Sequence, residues 1–220
     1  MPETQRTARP NGDGRRGRPP GSTAEETVPR LVEAAQVQFG THGYAGARMT
    51  AIAKAAGITH SSIYQYFTSK QELYRAAFDA ALAEPLPEYI AAIDTEATLK
   101  EQIQAIFRAS ARAHARKPTI TPFLASIPME LRRHPDLMAP LQAESAHLMA
   151  PLHAMFAAAR ARGEIAEGID DMDLVLAFLG AVMGVGLFSY GVPDGRMDAA
   201  VDILLSVLDG DFFKAGRKDA

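Results

Sequence analysis

The stretch ARMTAIAKAAGITHSSIYQYFTSKQEL, residues 47 to 73, reads as two short helices joined by a tight glycine turn, with a third helix beginning at its end. Ala53 is small enough to let the second helix cross closely over the first, and Gly57 can take the positive φ that a sharp reversal needs. Ile63 then points back into the crevice beside Ile52 and Ile58. Thr59 is a suitable N-cap, so the second helix starts there and presents His60, Ser61 and Ser62 on its first turn. Helices that read base edges in the major groove do so with their N-terminal residues. Tyr64, Gln65 and Tyr66 extend the same surface by a turn. Ser69 and Glu72 have the spacing of a capping box, which puts Lys70 at a helix N-terminus, where an ammonium and backbone N–H groups can meet one phosphate.

A small residue, a glycine and an isoleucine at this spacing also occur in helical hairpins that bind no DNA. Charge favours the nucleic-acid reading. Between Glu33 and Glu72 there is no acidic residue, while Arg48, Lys54 and Lys70 are basic. Residues 1–83 carry ten Lys and Arg against seven Asp and Glu, and the remainder thirteen against nineteen. A basic N-terminal part on an acidic body is the distribution expected for contact with phosphates.

Residues 31 to 73 resemble the N-terminal domain of TetR-type transcriptional regulators. The resemblance is carried by Leu31, Ala34, Ala35 and Phe39, then Gly43-Tyr44, Ile52-Ala53, Ala56-Gly57, Ile63-Tyr64, Tyr66-Phe67, Ser69-Lys70 and Glu72-Leu73. It implies an all-α homodimer with an N-terminal three-helix helix-turn-helix DNA-binding domain and a C-terminal helical ligand-binding and dimerisation domain. Matched position by position, Thr50, His60, Ser61, Ser62, Tyr64, Gln65, Tyr66 and Lys70 fall where such regulators touch DNA, with Thr59 at the head of the reading helix. Three departures qualify the match. Ala47 stands where a threonine usually caps the first helix of the motif, so Arg48 is expected to supply a phosphate contact instead. Gln38 replaces a leucine of the small core. His60 and Ser61 replace the usual lysine and glycine, so the operator cannot be borrowed from a relative.

The chain of 220 residues suits one small domain and one larger core. With no cysteine there is no disulfide framework and no thiolate chemistry. Residues 1–26 carry Arg6, Arg9, Arg15, Arg16 and Arg18 among Pro, Gly, Ser and Thr, which reads as a disordered basic arm and not as a signal peptide. The run RRGRPPG, residues 15–21, resembles an AT-hook core. Either Arg15, Arg16 and Arg18 enter a narrow minor groove, or the arm is a solvated tail that adds nonspecific affinity. The longest apolar run, Leu174 to Phe188, would span roughly 22 Å as a helix, short of the ~30 Å hydrocarbon core, so a cytoplasmic protein without a membrane span is expected.

A DNA-binding domain is expected over 27–83, with the helix-turn-helix at about 48–67, and a regulatory and dimerisation domain over 84–220. Thr27 is the expected cap of the first helix, because Pro29 is tolerated in a first turn but not deeper. The Glu84-Pro85-Leu86-Pro87 segment marks the boundary. Beyond it, helices are expected near 88–93, 97–116, 119–132, 136–162, 171–189 and 194–212, with 136–162 kinked or split by Pro140 and Pro151.

The helices at 171–189 and 194–212 are the expected homodimer interface. Gly180, Gly184 and Gly186 would admit a close helix, and Val201, Leu204, Leu205 and Leu208 form a stripe, although the same pattern suits an intramolecular core. The resemblance implies a pocket for a small apolar effector. Its candidate lining is Phe107, His114, Phe123, Ile127, Met149, His153, Phe156, Phe178 and Met183, positions that at helical spacing suit ordinary core as well.

No metal, cofactor or catalytic set is indicated. His147 and His153 lack metal-ligand spacing, and Asp170, Asp171 and Asp173 are explained by a helix N-terminus. The expected function is a ligand-responsive, sequence-specific regulator. It would be a repressor of a palindromic operator on double-stranded DNA, released when a ligand tilts the Ser69–Ala83 helix. A helical ligand carrier or scaffold without specific DNA binding is the alternative.

Overall fold

Apolar residues at i, i+4 and i+8 build the first helix and with it the first core. Leu31, Ala35 and Phe39 on α1 (Ala24–Gly46) are at most 1% exposed. The structure is a computed structural model that describes residues 24–94, 97–192 and 196–210. The basic arm therefore lies outside the described residues, as do its arginines. α1 starts three residues earlier than Thr27, which lies buried inside the helix, its hydroxyl accepting from Arg30 Nη2. Glu25 and Glu26 in the first turn favour that extra length by opposing the positive helix end. Pro29 is therefore carried inside the helix.

Gly43 breaks α1 with φ 68° and ψ 174°, and a last turn runs on to Gly46. α2 (Met49–Ala55) and α3 (His60–Ile63) follow. Gly57, at φ 74°, turns the chain between them, and Ile58 N donates to Ala53 O (2.9 Å) to close the turn. No atom lies within 4 Å of where a Gly57 Cβ would stand, so the glycine is needed for its backbone angle and not for space. Ile52, Ala53 and Ile63 are fully buried at the crossing.

α4 (Lys70–Ala83) leads through buried Pro85 into α5 (Leu86–Ile93), and α6 (Leu99–Arg116) and α7 (Ile120–Arg133) follow. The Ser69 hydroxyl accepts from Glu72 N, but the Glu72 carboxylate reaches back one residue too far for a capping box. It accepts from Thr68 N and Thr68 Oγ1, both at 2.7 Å. The complete box is at α6, between Thr98 and Glu101. A 3-10 turn, Pro135–Leu137, precedes α8 (Met138–Ala161). α8 is one helix and not two: Pro140 sits in its first turn and Pro151 is absorbed inside it. α9 (Asp171–Gly191) and α10 (Met197–Asp209) complete an all-α fold with no strand among the described residues.

Three cores result. The first joins α1 to α4 with Ile120, Phe123 and Ile127 of α7, so α7 packs as part of the N-terminal unit although it lies well past Pro85. The second gathers α5, α6, α8 and α9, and the third α6, α9 and α10. Val201 and Leu205 of the expected dimer stripe are buried in the third core. Gly186 also faces inward: a Cβ there would stand 3.0 Å from Thr121 Cγ2. The outward apolar face consists instead of Leu176, Leu187 and Phe188 on α9 with Ile203, Val207 and Leu208 on α10. α9 has 21 residues, longer than the apolar run within it. By length and composition it could cross a membrane, with only 17% of that window buried inside the chain.

Candidate DNA interface and effector cleft

Thr59 Oγ1 accepts from Ser62 N (3.2 Å) and lies 2.7 Å from Ser62 Oγ and 3.1 Å from Ser61 Oγ. The threonine caps α3 and gathers both serine hydroxyls at the helix start. His60 is exposed, its ring edge-on to Tyr64 at 5.4 Å. Tyr64, 47% exposed, and Gln65 stand on the turn that continues α3, closed by Gln65 N donating to Ser62 O and Phe67 N to Ile63 O. Tyr66 packs half-buried against the first core, which makes it a support for this surface more than a tip of it. Thr50 and Arg48 are exposed at the start of α2, where Arg48 occupies the N-cap position without a side-chain cap. Ala47 is buried at 3%.

Lys70 is half-buried at the start of α4. Its ammonium donates to Ala45 O (3.1 Å) and lies 5.0 Å over the Tyr44 ring, and burial lowers its pKa. Tyr44 is held from two sides. Its ring meets Tyr74 edge-on at 5.2 Å and His134 at 5.0 Å. Its N–H donates to the carboxylate of Glu130, a side chain of α7 only 3% exposed as a residue. Glu130 also accepts from Arg133 Nη1 (3.2 Å), and His134 Nε2 lies 3.7 Å away. A Cβ on Gly43 would come within 2.9 Å of the same carboxylate. The sequence reading missed Glu130 because an acid two-thirds along an amphipathic helix looks like solvent-facing charge; only the kink at Gly43 gives it a backbone donor.

The other end of α7 borders a cleft. An outer lobe of about 460 Å³ is lined by Glu84, Pro85, Tyr89, Ser110, His114, Lys117, Ile120, Thr121, Leu124, Met183 and Gly186 among others. An inner lobe of about 520 Å³ shares Pro85, Tyr89, Ser110, Leu124, Val182 and Met183 and adds Ile93, Ile106, Leu152, Phe178 and Leu179. Both volumes include the open mouth.

Of the expected lining residues, His114, Phe178 and Met183 border the cleft. Phe123 and Ile127 do not. They pack into the first core, Phe123 edge-on to Tyr74 at 5.3 Å, because Gly40 lets α1 come close to the α7 backbone. His153 is exposed on α8. Phe107, Phe156 and Met149 belong to the second and third cores behind the walls. Tyr89, Ser110, Thr121 and Leu124 were not expected, and no apolar periodicity would have marked Ser110 or Thr121. Among the described residues no group of three or more His, Asp or Glu is placed to hold a metal.

Residues 31–77 match the family model for bacterial regulatory proteins of the tetR family. Over those residues the chain carries the N-terminal domain of that family. The HTH-type transcriptional regulator BetI of Rhizobium meliloti is 33% identical over 96 residues, which are 43% of this chain and 47% of that protein. This chain thus spans about half the length of that relative in the match. Solved structures extend the likeness to the whole fold. The transcriptional regulator FadR of Bacillus subtilis, in complex with stearoyl-CoA, superposes with TM-score 0.67 at 19% identity, over 84% of this chain and 98% of that one. The ketosteroid transcriptional regulator KstR2 of Mycobacterium tuberculosis does so with TM-score 0.64 at 21% identity, over 83% and 93%.

Proposed function

We propose that this chain is a TetR-family regulator, homodimeric, cytoplasmic and ligand-responsive, that binds a palindromic operator and is released from it when a small apolar effector fills the cleft. One observation carries the reading. The exposed set His60, Ser61, Tyr64 and Gln65, with Lys70 behind it, is tied through Tyr44 and Glu130 to the helix that lines the cleft. His60, Ser61, Tyr64 and Gln65 meet base edges. Thr50, Thr59, Ser62 and Tyr66 position them, and Arg48 and Lys70 meet phosphates. Arg15, Arg16 and Arg18 add phosphate or minor-groove contacts.

Dimerisation runs through α9 and α10. Their outward apolar residues form one face, and around Gly180 and Gly184 no atom lies within 4 Å of a would-be Cβ, which leaves room for a partner helix. That face accounts for the low burial of α9 without a membrane. Two copies also supply the two half-sites, ~34–36 Å apart, that an operator presents. Effector binding favours the state with the wrong spacing, and acts only through its different affinity for the two states. Both α4 and α7 border the cleft and reach the reading unit, so both carry the change.

The test is a titration of the full-length dimer onto a palindrome from its own promoter region, with Tyr64→Ala beside it. A specific complex weakened by the substitution is the expected result. No specific complex, and no effect of Tyr64→Ala, refutes the reading.

A further inference from the structure

The inner lobe of the cleft is walled by aliphatic and aromatic carbon, and its polar edges are the Tyr89 and Ser110 hydroxyls alone. These two are already matched. Ser110 Oγ has one proton, which it can give to Ile106 O (2.9 Å) or to the Tyr89 oxygen (3.1 Å). The Tyr89 oxygen keeps free lone pairs toward the lobe. The outer lobe adds the His114 ring, with Nδ1 2.7 Å from Thr121 Oγ1. Burial lowers the His114 pKa, which keeps the imidazole neutral at pH 7. A neutral imidazole paired through Nδ1 can offer Nε2 as donor or acceptor, according to which proton Thr121 shares.

Formal charge on the lining is confined to the entrance. Glu84 accepts from Arg116 Nε (3.1 Å), and Lys117 Nζ stands 3.6 Å from Glu33 of α1. A carboxylate or phosphate drawn past them into the lobes would lose its hydration and find no buried cation in return. A ligand hydroxyl or ketone would lose little, because the His114–Thr121 pair can serve either.

We propose that the effector is an elongated, uncharged molecule whose apolar body fills the inner lobe and whose single hydroxyl or ketone oxygen hydrogen-bonds at the His114–Thr121 pair. This rests on reading the cleft as the effector site. Tyr89 oxygen offers a second station for a hydroxyl further along the body.

The experiment uses the full-length dimer without DNA and four probes on one chain length: 1-dodecanol, 2-dodecanone, dodecanoate and dodecyltrimethylammonium. Affinity is read by calorimetry and by the shift in Tm. The alcohol and ketone are expected to bind roughly tenfold or more tighter than either ion. Thr121→Val, which keeps the side-chain shape, and His114→Leu are each expected to weaken the alcohol roughly tenfold. Leu124→Trp, which fills the wall common to both lobes, is expected to abolish binding of all four probes while circular dichroism and sedimentation show a folded dimer. Dodecanoate binding at least as tightly as dodecanol, with that binding lost in Lys117→Met, overturns the proposal and leaves the cleft as effector site. Binding of all four probes that is indifferent to Leu124→Trp, or no binding by any, overturns the cleft reading and the proposal together.

Discussion

Replacing Glu130 by alanine tests whether α7 speaks to the DNA-reading unit. The substitution removes the acceptor of Tyr44 N–H, a part-buried bond of 3.1 Å. Leaving a buried donor unpaired costs about 1–3 kcal/mol, and partial burial puts this case in the lower half, about 1–2 kcal/mol. Arg133 and His134 lose a partner as well, but their side chains are 62% and 27% exposed, so water replaces it at about 0–1 kcal/mol each. The sum is about 1–4 kcal/mol of stability, or a Tm lower by about 2–16 °C for a chain of this size. Glu130→Gln keeps an oxygen for Tyr44 N–H and should cost about 1 kcal/mol. The functional consequence is separate. Tyr44 holds the Lys70 ammonium at 5.0 Å, and a loosened ring forfeits roughly 0.5–1 kcal/mol of that placement, about two- to fivefold in operator affinity. Most telling is the ratio of operator Kd with and without 1-dodecanol, read by fluorescence anisotropy at a temperature where every variant is folded. Coupling of this kind is typically about 1–3 kcal/mol, a factor of roughly 5–150. Glu130→Ala should cut that factor several-fold, and Glu130→Gln much less. A destabilised Glu130→Ala protein whose coupling factor equals the wild type's within about twofold would refute the route through α7 and leave α4 alone.

Three further outcomes are expected. Lys70→Gln should weaken operator and nonspecific DNA alike and reduce the slope of log affinity against log salt by roughly one, whereas His60→Ala and Gln65→Ala should relax sequence preference with the slope unchanged. Phe188→Glu combined with Leu176→Glu, at side chains 76% and 60% exposed in the single chain, should leave a helical monomer in sedimentation; an unaltered dimer places the interface elsewhere. Because burial lowers the His114 pKa from its ordinary 6.5, the unfolded chain binds the proton more readily. His114 should thus cost the fold nothing above pH 6.5 and progressively more as pH falls to its folded value, so that subtracting a His114→Leu denaturation series from the wild type's isolates a limb falling toward acid; a flat difference contradicts the neutral, buried ring.

The helix-turn-helix was legible because its signals are local. Gly57 needs its φ, Thr59 caps three residues on, and Ile63 must be buried wherever α3 goes. The cleft was not legible because periodicity marks a buried face without saying what it is buried against. Phe123 and Phe178 look alike as apolar helix positions, yet the first packs on Phe39 and Tyr74 and the second borders the cleft. What separates them is a close approach at Gly40, a fact of tertiary distance. For the same reason Val201 and Leu205 turn inward while Ile203, Val207 and Leu208 face out: a helix 13 residues long has apolar side chains on two faces, and one stripe reading cannot assign both.

The boundary at Pro85 shows the limit of reading domains from breakers. Proline there separates two helices along the chain, but the first hydrophobic core does not end with it, since Ile120, Phe123 and Ile127 complete that core from beyond. A regulatory unit that reached the DNA-reading unit only through α4 could let it swing on one helix. Here the same α7 that closes the N-terminal core carries Thr121 and Leu124 in the cleft wall and Glu130 on the Tyr44 N–H. Side chains on one helix move together as far as its backbone hydrogen bonds hold, and in α7 Pro128, which has no N–H to give Leu124 O, leaves one weak point between the cleft wall and Glu130. A ligand that displaces Thr121 would either shift Glu130 or bend the helix at Pro128. Since α1 packs against that stretch at Gly40 with no spare room for a methyl group, the shift is the lower-energy response.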